Sequence, residues 1–225
     1  SFAVEAGVFD FEKYYELATK ILEHSRRHLT TKAMARYVLQ VVGVPSPKRV
    51  LIATSCVDDY LQDTMLHGLR RVLGDRLVDY VPEQGPELSE PELCVADKSN
   101  SSNPFPNYRV NMYMDSWAAS SKTNFDTRKR YGNGFTVWNR LSKTVDGDID
   151  RSHVYDDIEA GVFDLIFITD RVLTLSLRQT FVEHVRTHTD RSKVVALIGT
   201  DEPVSIGILS KFHRISAWIF ERELP

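Results

Sequence analysis

A chain of 225 residues with 42% hydrophobic and 26% charged side chains has the composition of one globular domain with an accessory element, and excludes a disordered or fibrous protein. A net charge of -3 and a pI near 6.2 argue against nucleic acid as a partner, because backbone binding needs a basic face that releases counterions, and the single basic run, Arg128-Lys129-Arg130, is short. No apolar run approaches the roughly 20 residues needed to span a bilayer. No signal peptide is visible, and Cys56 and Cys94 lack metal-ligand spacing, so they read as free thiols of a cytoplasmic protein. The chain begins with Ser1 rather than Met, and is expected to be a segment of a longer polypeptide.

Residues 10–42 carry apolar side chains at helical spacing in two stretches, with Thr30 or Thr31 as an N-cap between them and Gly43 as a stop. This helical leader, residues 1–47, ends in VPSPK. From residue 48 apolar runs of strand length alternate with helices: RVLIA, then YLQDTMLHGLRRVLG closed by Gly74, then RLVDYV. Between about 82 and 130 the periodicity lapses into a long irregular insertion, rich in Pro, Ser and Asn and carrying Phe105, Tyr108, Tyr113 and Trp117. GFTVWNRL reads as a strand after the Gly132-Asn133-Gly134 turn. There follow a helix over SHVYDDIEAG with Ser152 as N-cap and Gly161 as terminator, the strand FDLIFIT, a helix across LSLRQTFVEHVRTH, the strand VVALIG, a short helix around VSIGILSKF and a last strand, ISAWIF. VLIA, LIFI and VVALI are continuously apolar, as strands covered on both faces are. The fold expected for residues 48–225 is a Rossmann-like or flavodoxin-like α/β domain, with a mostly parallel sheet of five to six strands and helices on both faces.

Ligands of such sheets bind outside the carboxyl ends of the strands. Four strands here end in polar residues: Thr54, Ser55, Asp58 and Asp59 after the first, Thr169, Asp170 and Arg171 after FDLIFIT, Thr200, Asp201 and Glu202 after VVALIG, and Glu221, Arg222 and Glu223 after the last. Carboxylates grouped in this way repel one another, which raises at least one pKa and suits acid-base work. Asp, Ser and Thr are also the preferred helix N-caps, so capping accounts for any single one of them. His184 and His188, at i and i+4, match half of a zinc pattern, but HVRTH lacks a metalloprotease glutamate and no third ligand stands out in sequence; a solvated helix face is expected and no metal or cofactor is assigned. His67 lies in the first crossover helix, pointing to the strand ends or packing. Gly132 and Gly134 lead into a strand, not a helix, so they do not form a phosphate cradle beside Arg128–Arg130. Walker, G-x-G-x-x-G and G-x-S-x-G motifs are absent from the sequence.

RVLIA with YLQDTMLHGLRRVLG, YGNGFTVWNRL, IEAGVFDLIFITD, VVALIGTDEP and the closing IFERELP together resemble the amino-terminal half of bacterial GT-B-type glycosyltransferase-like proteins, including spore-maturation-type members. The resemblance covers roughly residues 48–225. Its relatives carry a DGED-like turn where this chain has Gly199-Thr200-Asp201-Glu202. It implies one of two Rossmann-like lobes of an enzyme that transfers a sugar from a nucleotide-sugar donor to a glycan or other hydroxyl acceptor, without a bound metal. Asp59, Asp170 and Asp201 are then the base candidates, and Thr54, Ser55, Asp58, Arg171, Thr200, Glu202 and Arg222 the substrate-binding candidates. The partners implied are a nucleotide sugar, a carbohydrate acceptor and a second lobe or neighbouring domain. Two alternatives remain open: a catalytically silent binding or structural module of a glycan-assembling protein, and a receiver-type signalling domain with Asp170 as phospho-acceptor, although the closing strand lacks the lysine that such a domain would need.

Overall fold

The computed structural model describes residues 4–5, 8–55, 59–82, 141, 148–174, 179–199 and 206–221. The expected insertion at 82–130 except Pro82, both cysteines, the glycine turn at 132–134 and all of GFTVWNRL except Leu141 lie outside these residues.

A short antiparallel hairpin, β1 (Val4–Glu5) and β2 (Val8–Phe9), opens the chain and was not foreseen from its two-residue strands. Two helices follow, α1 (Phe11–His28) and α2 (Thr31–Val41). Each begins where a side-chain oxygen takes an otherwise orphaned backbone N–H: Asp10 from Lys13 at 3.0 Å and Thr30 from Ala33 at 3.1 Å. No residue of α1 is buried, whereas α2 buries Ala35, Val38 and Leu39 against the sheet, so residues 31–41 belong to the α/β core although they precede residue 48.

The sheet contains β3 (Val50–Ala53), β4 (Leu77–Tyr80), β5 (Leu165–Thr169), β6 (Val194–Ile198) and β7 (Trp218–Glu221), in the order β4-β3-β5-β6-β7 and parallel throughout. Numbered within the sheet this is 2-1-3-4-5, the doubly wound order whose direction reverses between its first and third strands. The helices between strands are α3 (Tyr60–Leu73), α4 (Val154–Glu159), α5 (Asp170–Thr174), α6 (Gln179–His188) and α7 (Ile206–Ile215).

Alternation along the strands divides the core into two layers. Val50, Ile52, Leu165, Phe167, Val195 and Leu197 face α2 and α3, while Leu51, Ala53, Ile166, Ile168, Ala196 and Ile198 face α4 to α7. Both faces being covered explains why these strands read as unbroken apolar runs. Ser152 does not cap α4, because its hydroxyl and N–H both bond Asp150 and His153 holds the N-cap position.

Helices α2 and α3 approach so closely that a Cβ on Gly68 would lie 2.1 Å from the Thr31 carbonyl oxygen and 3.1 Å from the Ala35 Cβ. His67, beside it, shares a 2.8 Å hydrogen bond between Nδ1 and Thr31 Oγ1; it therefore packs on α2. Because the obstructing atom is backbone, Gly68→Ala must separate the helices, and a loss of about 1–3 kcal/mol is expected in urea unfolding.

Candidate functional site

The switch point lies between β3 and β5, and the polar residues at their carboxyl ends meet there. Gln62, fully buried in the first turn of α3, ties the two strand ends together. Its Oε1 accepts the Ser55 N–H at 2.7 Å, the Ser55 hydroxyl at 3.2 Å and the Thr169 hydroxyl at 3.3 Å, while its Nε2 reaches the Ser55 carbonyl at 3.4 Å. Three donors on one amide oxygen define its orientation and hold the following loops in register.

Asp59 caps α3. Its Oδ1 accepts the Gln62 N–H at 2.7 Å. Asp170 stands directly after β5, and its Oδ1 accepts the Arg171 N–H at 2.6 Å, while the Gly199 N–H at the end of β6 also donates to this carboxylate. Both aspartates are buried. Burial pushes the Asp170 carboxyl up to about 6, and the negative charge of Asp59 adds to the rise. The Arg171 N–H and guanidinium and the Gly199 N–H oppose it less strongly.

Gly199 makes this pairing possible. A Cβ at that position would lie 2.2 Å from Asp59 Oδ2 and 2.3 Å from Oδ1, so the Asp59 carboxylate occupies the space a side chain would need. Gly199→Ala is therefore expected to evict Asp59 from its cap and cost about 1–2 kcal/mol, the usual worth of such a cap. In an Asp59→Ala background the same substitution is expected to cost much less, and a double-mutant cycle measures the difference.

Of the residues expected at the site, Thr54, Ser55, Asp59, Asp170 and Arg171 are described, and they gather at the switch point. Thr54 is fully buried, with no hydrogen-bond partner for Oγ1 among the described residues. Ser55 is fully buried and engaged with Gln62; Arg171 is exposed beside Asp170. Asp58, Thr200, Asp201, Glu202 and Arg222 lie outside the described residues. Two contributors were missed. Gln62 stands at the capping-box position three residues after Asp59, a visible signal of a helix start but not of its bond to Ser55. Gly199 read only as a departure from an acidic turn.

No family model, curated protein or solved structure matches this chain significantly. The class is defined by fold and site alone: an open parallel α/β domain with a buried aspartate pair at its switch point.

Proposed function

We propose that the chain is the acceptor-side lobe of a glycosyltransferase of the two-lobed, nucleotide-sugar-dependent kind, with Asp170 as general base. The observation that carries the reading is the Asp59–Asp170 pair at the switch point, in which Asp170 is held near 6. A carboxylate of that basicity is still ionised at neutral pH and accepts a proton more readily than an ordinary one. In the reaction, Asp170 takes the proton of an acceptor hydroxyl as the oxygen bonds the anomeric carbon of the donor. The bond from that carbon to the diphosphate breaks, and the electron pair leaves with the diphosphate. Burial, with the Asp59 charge adding to it, keeps Asp170 basic, and Arg171 orients the acceptor. The turn after β3 has no glycine through which a pyrophosphate could approach the backbone, so hydroxyl-bearing acceptors suit this edge better than a dinucleotide.

The test is sugar transfer, or slow hydrolysis of UDP-, GDP- or TDP-sugars, by the full-length protein and its Asp170→Asn variant. Turnover that requires Asp170 supports the reading; turnover undiminished in the variant rejects it. The strand order and the place of Asp170 at the end of the third strand also fit a phospho-acceptor, but β7, Trp218–Glu221, carries no lysine. Labelling of Asp170 by acetyl phosphate would favour that second reading.

A further inference from the structure

We infer that Glu159, His184 and His188 form a binding site for a divalent transition metal, of the zinc class, that clips α4 to α6. His184 and His188 stand one turn apart on α6 with ring centroids 4.6 Å apart, and α4 brings Glu159 to them from another part of the chain. Glu159 Oε1 lies 3.8 Å from His184 Nε2 and 4.0 Å from His188 Nε2, and one ligand atom from each of the three lies within 4.8 Å of the others. Ligand atoms around a tetrahedral zinc, bonded at roughly 2.0–2.1 Å, stand about 3.3 Å apart, so closure needs small side-chain rotations and no backbone movement.

The set is chemically apt. Two imidazoles and one carboxylate satisfy zinc and leave a position open to water, and hard oxygen-loving ions such as magnesium are poorly served by them. His184 is pre-positioned: its ring packs edge-on against Tyr155 at 4.8 Å, and its Nε2 lies 3.2 Å from the Tyr155 carbonyl. In that contact Nε2 carries the proton, because a carbonyl only accepts; metal binding requires the tautomer with the proton on Nδ1 and replaces the contact. Glu159 and His188 are more exposed, so the ion has access from solvent.

The location assigns the role. Helix α4 ends just before β5 and α6 just before β6, so the three ligands lie toward the amino edge of the sheet, opposite the Asp59–Asp170 pair at the carboxyl edge. The ion therefore joins two helices and takes no part in chemistry at the switch point. The i,i+4 histidine pair was visible in sequence, but the third ligand depends on the packing of α4 against α6, which no local pattern shows.

Zinc affinity should be measured by competition with a chromophoric chelator, in a His28→Ala background that removes the other i,i+4 histidine pair, His24 and His28 on α1. The expected result is a micromolar dissociation constant, weakened at least tenfold by Glu159→Gln and further by His188→Ala. Zinc should also raise the melting temperature of the parent and not of Glu159→Gln. Both substitutions are at solvent-accessible positions, and equal melting temperatures without zinc will show that the fold is intact. A dissociation constant above about 100 μM, or one unchanged by Glu159→Gln, would overturn the site; the latter leaves only a two-histidine chelate.

Discussion

Asp170→Asn is expected to lower sugar transfer by the full-length protein roughly 10²- to 10⁴-fold, the usual contribution of a general base, while making the domain more stable at neutral pH. The two effects have one cause. Burial and the neighbouring Asp59 charge raise the Asp170 carboxyl from 3.8 to about 6, so the folded state binds a proton more tightly than the unfolded state does. The native state therefore holds more protons between those values, and stability falls as pH rises through that window. Above it the ionised carboxylate carries the full penalty, on the order of 2–3 kcal/mol for a shift of that size. Below about pH 4 the penalty is absent. Asparagine keeps the shape and an oxygen for the Arg171 and Gly199 N–H groups but never ionises. Urea unfolding at pH 8 should show the variant ahead by about 1–3 kcal/mol, and the difference should vanish near pH 4. Lost activity with unchanged or reduced stability at pH 8 would mean that Asp170 is held in some other way.

The second large effect lies away from the site. Asp79 on β4 is fully buried, and its Oδ1 accepts from Arg70 of α3 and from Arg151, just ahead of α4, each at 2.9 Å. Arg151 Nε also donates to the Asp79 carbonyl at 2.7 Å, and Arg70 Nη1 donates to the carbonyls of Gly74 and Leu77 at 2.7 Å each. The two guanidinium groups are themselves almost wholly buried. Asp79→Ala leaves two desolvated positive charges without their shared counter-charge, a change that costs about 3–5 kcal/mol when one partner of a buried pair is removed. Asp79→Asn, which keeps an acceptor oxygen, should cost less. Chemical denaturation of the three proteins measures the order. The cluster ties β4, outermost of the described strands, to the segment that leads into the second half of the sheet, so its loss should also expose β4 amides to faster hydrogen exchange.

The sheet was legible because its strands are buried on both faces, which writes itself into the sequence as unbroken runs such as VLIA and VVALI. The helix starts at Thr30 and Asp59 were legible to within one residue, with Thr31 and Asp58 as equal candidates, because a cap is a local device, needing only an oxygen three residues ahead of the N–H it binds. What was not legible depends on distance along the chain. Asp79 and Arg151 are 72 residues apart, and Gln62 and Thr169 are 107 apart; no window of sequence contains either pair. Ser152 misled for the opposite reason, since Asp150 competes locally for its hydroxyl. At the switch point, Asp59 and Asp170 could be named from their places after strands. The buried amide that aligns their loops and the glycine that lets them approach could not be named, because both act through packing and neither bears charge.

Whether Asp170 is a basic carboxylate coupled to Asp59 is read from an NMR titration of the Asp170 side-chain carboxyl carbon in the wild type and in Asp59→Asn. A wild-type midpoint near 6 that moves down when Asp59 loses its charge is the predicted result; an Asp170 that titrates at or below 4 in both proteins would contradict it.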